Sequence, residues 1–318
     1  MVFGLQMDDQ KEEDNLHVTD VARFLDEAGV ASILFGWQAM VLVGTDTCSK
    51  KVGFVVKEDE LDSATNTLAD KEFHRCTNPE CPELSADRLP ADFLAHWEEQ
   101  DLSVEERVLT QSEYAAILSQ DRYHPVAAVH YHIADKYPEY AILALHRRSY
   151  LLWRLPKIPL ASPADGDRNL MLSTDDRLNM ENSRSGPWTE LYPIKILTPW
   201  AFVEALIILC CRNFYHFEDL GEAWDAMLRG FAELDRWEIK NNIDDDFRAS
   251  WDGLMGRGPL ERQLWSATSP KFKEKPWEKG VKGLPLVRKN IWVPTRQLRD
   301  KLTAENKLSF LLMPKPEH

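Results

Sequence analysis

Two short apolar runs near the start of the chain, Ala31 to Phe35 and Val52 to Val56, constrain its fold more than any other feature. Each has the length of a buried strand, and Gly36 with a further apolar segment lies between them. A helical pattern over residues 19 to 28 precedes the first run, and acids that suit a helix N-terminus follow the second. The order helix, strand, helix, strand, helix predicts an α/β fold.

The remainder of the chain predicts further strands and then helices. Three β-like runs extend the sheet, at residues 127 to 133, 140 to 145 and 149 to 153. A stretch rich in Pro, Asp, Asn and Ser from 156 to 193 predicts a long loop, and apolar helices follow at about 199 to 213 and 220 to 237. The predicted class is α/β (α+β), a mixed sheet flanked by helices and followed by a helical C-terminal half.

The length of 318 residues lies at the upper limit of what one hydrophobic core serves, which favours more than one domain. The changes in composition predict four segments. They are a flexible leader at 1–15, an α/β domain at 16–190, a helical domain at 191–265 and a basic, extended tail at 266–318.

The net charge of −14 repels phosphates and anionic membranes unless a basic patch opposes it. No apolar stretch approaches the length of a membrane span, and the first residues lack the pattern of a signal peptide, so we expect a cytoplasmic protein without a membrane partner. The five cysteines predict reduced thiols. The spacing of Cys76 and Cys81 is one residue longer than we expect of the strongest zinc knuckles, so the sequence predicts neither a metal site nor a cofactor.

Gly36 follows a buried strand and opens a short helix, and the next strand begins about fifteen residues later. This arrangement, from about Thr19 to Leu68, resembles the nucleotidyltransferase superfamily. In that superfamily the glycine loop holds a triphosphate, and three carboxylates on two later strands bind the metal ions. The resemblance implies that Gly36, Trp37 and Gln38 contact substrate. Asp135 and Arg212 are further candidates for substrate contact.

The chain departs from that family at the positions that perform its chemistry. The strand that would carry the paired acids has the sequence Lys51 to Val56 and contains no carboxylate, and the strand that would carry the third acid contains His130 and His132. Magnesium prefers oxygen ligands, so magnesium-dependent nucleotide transfer is not expected. The alternatives are a pseudo-nucleotidyltransferase that binds without catalysis, or a true enzyme whose acids lie elsewhere in the sequence.

His130 and His132 are two residues apart on a predicted strand and therefore share a face. They are candidates for acid and base catalysis near neutral pH. With a third ligand, either Asp135 or His124, they would bind zinc, although neither spacing is typical of a zinc site. The alternative is that both are half-buried sheet residues with a structural role.

Glu204 is the single charge in the apolar helix segment AFVEALIILCC. A buried carboxylate needs a partner, and Arg212 lies two turns further along the same helix. Glu204 is therefore a candidate general base or anchor for a substrate amine, with a structural ion pair as the alternative.

Basic residues are concentrated in two places, which makes them candidates for contact with RNA phosphates. One is Arg147 and Arg148, and the other is the segment from Lys271 to Lys301, with ten basic and three acidic residues and two tryptophans. The alternative is a solvated segment. The candidate tRNA contacts in the tail are Lys271, Lys273, Lys275, Lys279, Lys282, Arg288 and Lys289.

The stretch from Tyr192 to Pro199 that leads into the apolar helix, and the apolar island at Leu170 to Leu172, are similar to those of fungal proteins of nucleotidyltransferase-like type. Among such proteins the chain resembles the arginine-containing cyclodipeptide synthases. The resemblance implies aminoacyl-tRNA as partner and a small cyclic dipeptide as product. Aminoacyl-tRNA is already activated, so peptide-bond formation requires positioning and a base rather than a metal or ATP.

Overall fold

The computed structural model describes residues 18–45, 50–84, 125–137, 140–178, 186–214, 220–232, 234, 238–255 and 293–308. Six strands lie in these ranges: β1 Ser32–Phe35, β2 Lys51–Val56, β3 Val129–His132, β4 Ile142–Arg147, β5 Leu170–Leu172 and β6 Lys195–Leu197. The helices that accompany the sheet are α1 at 18–27, α2 Trp37–Leu42, α3 Leu61–Asp70 and α4 Arg148–Leu151. The later helices are α5 Pro199–Arg212, α6 Leu220–Ala232, α7 Ile239–Asn242, α8 Asp245–Met255 and α9 at 293–304.

The six strands form one mixed sheet in the order β3-β4-β2-β1-β6-β5. β2 is antiparallel to β1 and parallel to β4, and β3 returns antiparallel to β4. The antiparallel strands β1 and β2 are joined through the short helix α2. The parallel strands β2 and β4 require a longer connection, which includes α3. The predicted α/β class, with a mixed sheet flanked by helices, is confirmed.

Apolar side chains bury the central strands on both faces, which explains why their sequences are continuous apolar runs rather than alternating patterns. All four residues of β1 and the last five of β2 are buried. On one face Tyr131 of β3 packs edge to face against Phe73, with ring centroids 6.2 Å apart. Elsewhere Phe35 stacks on Phe202 of α5 at 4.9 Å. These contacts fix β3 and α5 against the sheet.

Strand β6 and the helices α7 and α8 were not predicted, and three predicted segments differ from the structure. Residues 149 to 153 were predicted as a strand. In the structure β4 ends at Arg147 and the helical turn α4 follows directly, so the first residues of this segment are helical. The apolar island Leu170–Leu172, predicted to lie in a long loop, is the edge strand β5. The tail, predicted to be extended, contains the helix α9.

The chain divides into two compact units. The first contains the described residues within 1–84, 126–205 and 233–239, and therefore the whole sheet. The second contains those within 85–125, 206–232 and 240–318. The division falls inside α5, and β6, which pairs with β1, belongs to the sheet unit.

None of the helices in the described ranges combines the length and apolar character needed to cross a membrane.

A buried ion pair fastens β6 to α1. The Lys195 ammonium is 2.9 Å from Asp26 Oδ1, and the Lys195 side chain is only 4% exposed. Tyr192 donates a hydrogen bond from its hydroxyl to Asp26 Oδ2 at 3.1 Å. Burial, together with the negative charge of Asp26, raises the pKa of Tyr192 to about 12, so the hydroxyl keeps its proton at neutral pH.

Breaking this pair should destabilise the sheet unit strongly. We expect Asp26→Asn to lower the free energy of unfolding by about 3–5 kcal/mol, because the Lys195 charge would remain buried without its counter-ion. Thermal and urea unfolding measure the loss. Arg23→Gln, which breaks the exposed pair with Asp20, is the control and should cost at most about 1 kcal/mol. Equal, small losses in both variants would contradict this account of Lys195.

Candidate metal centre

The segment that follows α3 runs beside β3 and brings a cysteine to it. Arg75 forms an isolated antiparallel bridge with Tyr131, and the backbone N–H of Cys76 donates to the carbonyl of His130 at 3.0 Å. These bonds place Cys76 next to the middle of β3. The Cys76 side chain is part-exposed.

A tight turn then returns the chain and brings a second cysteine to the same place. The N–H of Cys81 donates to the carbonyl of Asn78 at 3.2 Å, and the N–H of Leu84 donates to the carbonyl of Cys81 at 2.9 Å. Pro82–Leu84 forms a single 3₁₀ turn. Within it the backbone N–H of Glu83 donates to the Cys81 sulfur, two residues earlier. A bond of this kind stabilises a thiolate.

His130 and His132 face the two cysteines from β3. The Nε2 atoms of both histidines lie 3.3 Å from the Cys81 sulfur. Their rings are nearly perpendicular, at 79°, with centroids 5.4 Å apart. Including Cys76, one ligand atom from each of the four side chains lies within 4.8 Å of the other three.

This set of donors fits zinc. Zinc in structural sites takes four cysteine or histidine ligands in a tetrahedron, with Zn–S near 2.3 Å and Zn–N near 2.1 Å, which places ligand atoms roughly 3.4–3.8 Å apart. The two sulfur–nitrogen distances of 3.3 Å are close to that range. Thiolate and imidazole are poor ligands for magnesium, so the site is not the carboxylate centre of a nucleotidyltransferase.

The protonation states of the ligands depend on burial. Burial lowers the pKa of the His130 imidazole, and the carboxylate of Glu83 partly opposes this effect. His130 is therefore neutral at neutral pH, as ligation requires. Burial raises the pKa of the Cys81 thiol. A bound dication would reverse that preference and hold the thiolate form.

A partly buried ion pair lies beside the four side chains. The Lys51 ammonium, at the first residue of β2, is 2.6 Å from Glu83 Oε2. In the sheet register Lys51 pairs with Ile142, and Ile142 pairs with His132, so the three residues form one row across β2, β4 and β3. Residues in one row point to the same face, which is the face that carries His130.

Sequence spacing identified no third ligand for His130 and His132, whereas the structure brings two cysteines beside them. Cys76 and Cys81 join them, because the bridge at Arg75 brings this distant part of the sequence to β3. Asp135 is exposed and is not a member of the cluster, and His124 lies outside the described residues. The four residues between the cysteines fall within the spacings that zinc sites use, so this spacing, which the sequence analysis took as too long, is compatible with a metal.

Three of the residues predicted to bind substrate lie around the start of α2. Gly36 precedes the helix with a φ of +89°, a conformation that favours glycine. Trp37 is the first residue of α2 and is part-exposed. Gln38 is buried and donates to the Tyr140 hydroxyl at 3.4 Å. The cluster of Cys76, Cys81, His130 and His132 contains none of these three residues.

Glu204 forms a bidentate ion pair with Arg168. The distances are 2.6 Å to Glu204 Oε1 and 3.2 Å to Oε2. The Glu204 side chain is 11% exposed and that of Arg168 is 42% exposed. The carbonyl of Arg168 accepts hydrogen bonds from Thr198 and Trp200, so the pair also fastens the loop before β5 to α5. Arg212, predicted as the neighbour, is buried and donates from Nε to Asn213.

Glu204→Gln and Arg168→Gln test whether this pair is structural. We expect each single variant to lose about 1–2 kcal/mol of stability, because charge-assisted bidentate bonds are lost from a partly solvated site. The double variant should lose little more than either single one. Unchanged melting temperatures in both single variants would contradict a structural pair.

The basic residues predicted to bind tRNA are only partly described. Arg147 ends β4 and is exposed, and Arg148 starts α4 and donates from Nη1 to the carbonyl of Leu155 at 3.0 Å. The tail positions lie outside the described residues: Lys271, Lys273, Lys275, Lys279, Lys282, Arg288 and Lys289.

No protein-family model, curated protein or solved structure matches the chain.

Proposed function

We propose that this protein binds one zinc ion through Cys76, Cys81, His130 and His132, and that the ion has a structural role. The observation that carries the proposal is the convergence of two sulfurs and two imidazole nitrogens within 4.8 Å of one another. Two thiolates neutralise the charge of the dication, so a partly buried site gains no net charge on loading. Four protein ligands complete the tetrahedron and leave no open position for a substrate.

The ion would hold the turn between α3 and β3 against the sheet. This turn has little regular structure, and among its described contacts are the hydrogen bonds at Cys76, Cys81 and Leu84. Closing the loop from Cys81 to His130 restricts the unfolded chain, as a cross-link does. Metal binding and folding of this region are therefore coupled.

The proposed scaffold is nucleotidyltransferase-like without the metal chemistry of that family. β1, α2 and β2 with Gly36 before the helix support this relationship, and the lack of carboxylates on β2 supports the loss of magnesium. A side chain at Gly53 would have its Cβ 3.2 Å from the Phe35 carbonyl oxygen and 3.5 Å from His146 Nε2. An acid at that position would require its neighbours to shift.

A second candidate function is aminoacyl-tRNA-dependent formation of an arginine-containing cyclic dipeptide. The observation that favours it is the geometry at Glu204, whose carboxylate already binds a guanidinium through both oxygens. Arg168, which supplies that guanidinium, is 42% exposed and is open to exchange with an arginine substrate. In this proposal Glu204 anchors the substrate or accepts the amine proton, and the activated ester needs no metal.

Metal analysis tests the zinc proposal. The purified protein should contain one equivalent of zinc, and a strong chelator should lower its melting temperature by about 10 °C or more, since each lost kcal/mol shifts a large domain by about 2–4 °C. Cobalt substitution should give the visible bands of a tetrahedral thiolate complex.

Cys81→Ser should lose the zinc and the cobalt spectrum. Cys210→Ser is the matched control, because Cys210 is a buried cysteine on α5 outside the cluster, and it should keep both. Protein that contains no zinc and ignores the chelator would overturn the proposal.

Mass spectrometry of small molecules from cells that express this gene alone tests the second candidate. It should detect a new arginine-containing cyclic dipeptide, reduced by about two to four decades in Glu204→Gln. No product from folded, soluble protein would reject this candidate and leave the zinc proposal untouched. Magnesium-dependent ATP binding would instead indicate an ordinary nucleotidyltransferase.

A further inference from the structure

The ion pair of Lys51 and Glu83 lies beside the proposed zinc ligands, and neither of its residues is one of those ligands. Its side chains are only 18% and 8% exposed. Taking two charges out of water costs several kcal/mol per ion, and the attraction between them often does no more than compensate. A largely buried pair at this place is therefore weak evidence for a gain in stability, and a role toward the adjacent ligands is the alternative.

Glu83 contacts the metal centre through its main chain. Its N–H donates to the Cys81 sulfur, and its carboxylate binds Lys51 on β2. One residue thus connects a ligand atom to the sheet. If the carboxylate were released, the 3₁₀ turn Pro82–Leu84 would lose its anchor on β2, and the N–H would lose its fixed direction toward the sulfur.

Because Lys51 belongs to the same sheet as the histidines, the bond to Glu83 also fixes the distance from Cys81 to His130 and His132. Lys51 and His132 lie in one row across β2, β4 and β3, and Gly53 and His130 lie in the next row on the same face. Strands in a sheet are about 4.8 Å apart. Holding Glu83 to Lys51 therefore holds Cys81 at a set position relative to both histidines.

We propose that Lys51 and Glu83 form an outer-sphere pair that positions Cys81 for zinc. This inference rests on the proposed zinc site. Groups that orient metal ligands from outside the first coordination sphere are typically worth about 10- to 100-fold in metal affinity. We expect Glu83→Gln and Lys51→Gln each to raise the zinc dissociation constant by about that factor, and the double variant by no more than either alone.

The experiment is chelator competition for zinc on the full-length wild type, both single variants and the double variant, well below their melting temperatures. Cobalt spectra of the same proteins report the geometry at the thiolates. Asp20→Asn, which removes an exposed ion pair elsewhere in the sheet unit, is the control and should bind zinc as the wild type does.

A shared, non-additive loss of affinity with a changed cobalt spectrum supports the pair. Affinities within twofold of the wild type in both single variants would overturn it, even if their melting temperatures fall, because that result describes a purely structural ion pair. Additive losses would also overturn it, since they show that the two residues act separately. A wild type that binds no zinc would overturn the zinc proposal and this inference together.

Discussion

The in-register pairing of β3 with β4 is the constraint on which the rest of the site depends. It places His130 opposite Ala144 and His132 opposite Ile142, so both imidazoles lie on one face of the sheet. A shift of one residue would turn both to the opposite face, where Tyr131 packs against Phe73. The burial of Tyr131 thus fixes the register and, with it, the direction of both histidines.

In the proposed nucleotidyltransferase-like relationship, the same face would carry the positions of that family's acids. In this chain Lys51 and Gly53 of β2 lie in the rows of His132 and His130. Lys51 is paired with the carboxylate of Glu83, and a Cβ at Gly53 would lie against His146 and the carbonyl of Phe35. The sulfur and imidazole donors beside these positions suit zinc rather than magnesium, which needs oxygen donors. Under that proposal, the face would hold a structural metal ion instead of a catalytic one.

The sequence predicted four of the six strands and the site only in part. Continuous apolar runs predicted β1, β2 and β4, because central strands bury both faces. The β-like run at 127 to 133 predicted β3, an edge strand in which histidines alternate with apolar residues. The strands β5 and β6 were not predicted. The helical turn α4 was missed because the apolar residues from Tyr150 to Trp153 have the composition of a strand but follow directly on the end of β4.

His130 and His132 were predicted to share a face from their spacing alone. Their cysteine partners were not predicted, because the bridge between Arg75 and Tyr131 joins segments more than fifty residues apart. The pairing of Glu204 with Arg168 is likewise a long-range contact that no local pattern encodes.

X-ray absorption at the zinc edge of the purified protein measures the ligand shell of the zinc ion that we propose between Cys76, Cys81, His130 and His132. We expect two sulfurs at about 2.3 Å and two nitrogens at about 2.0–2.1 Å. A shell of nitrogen and oxygen without sulfur, or the lack of bound zinc in folded protein, would contradict that proposal.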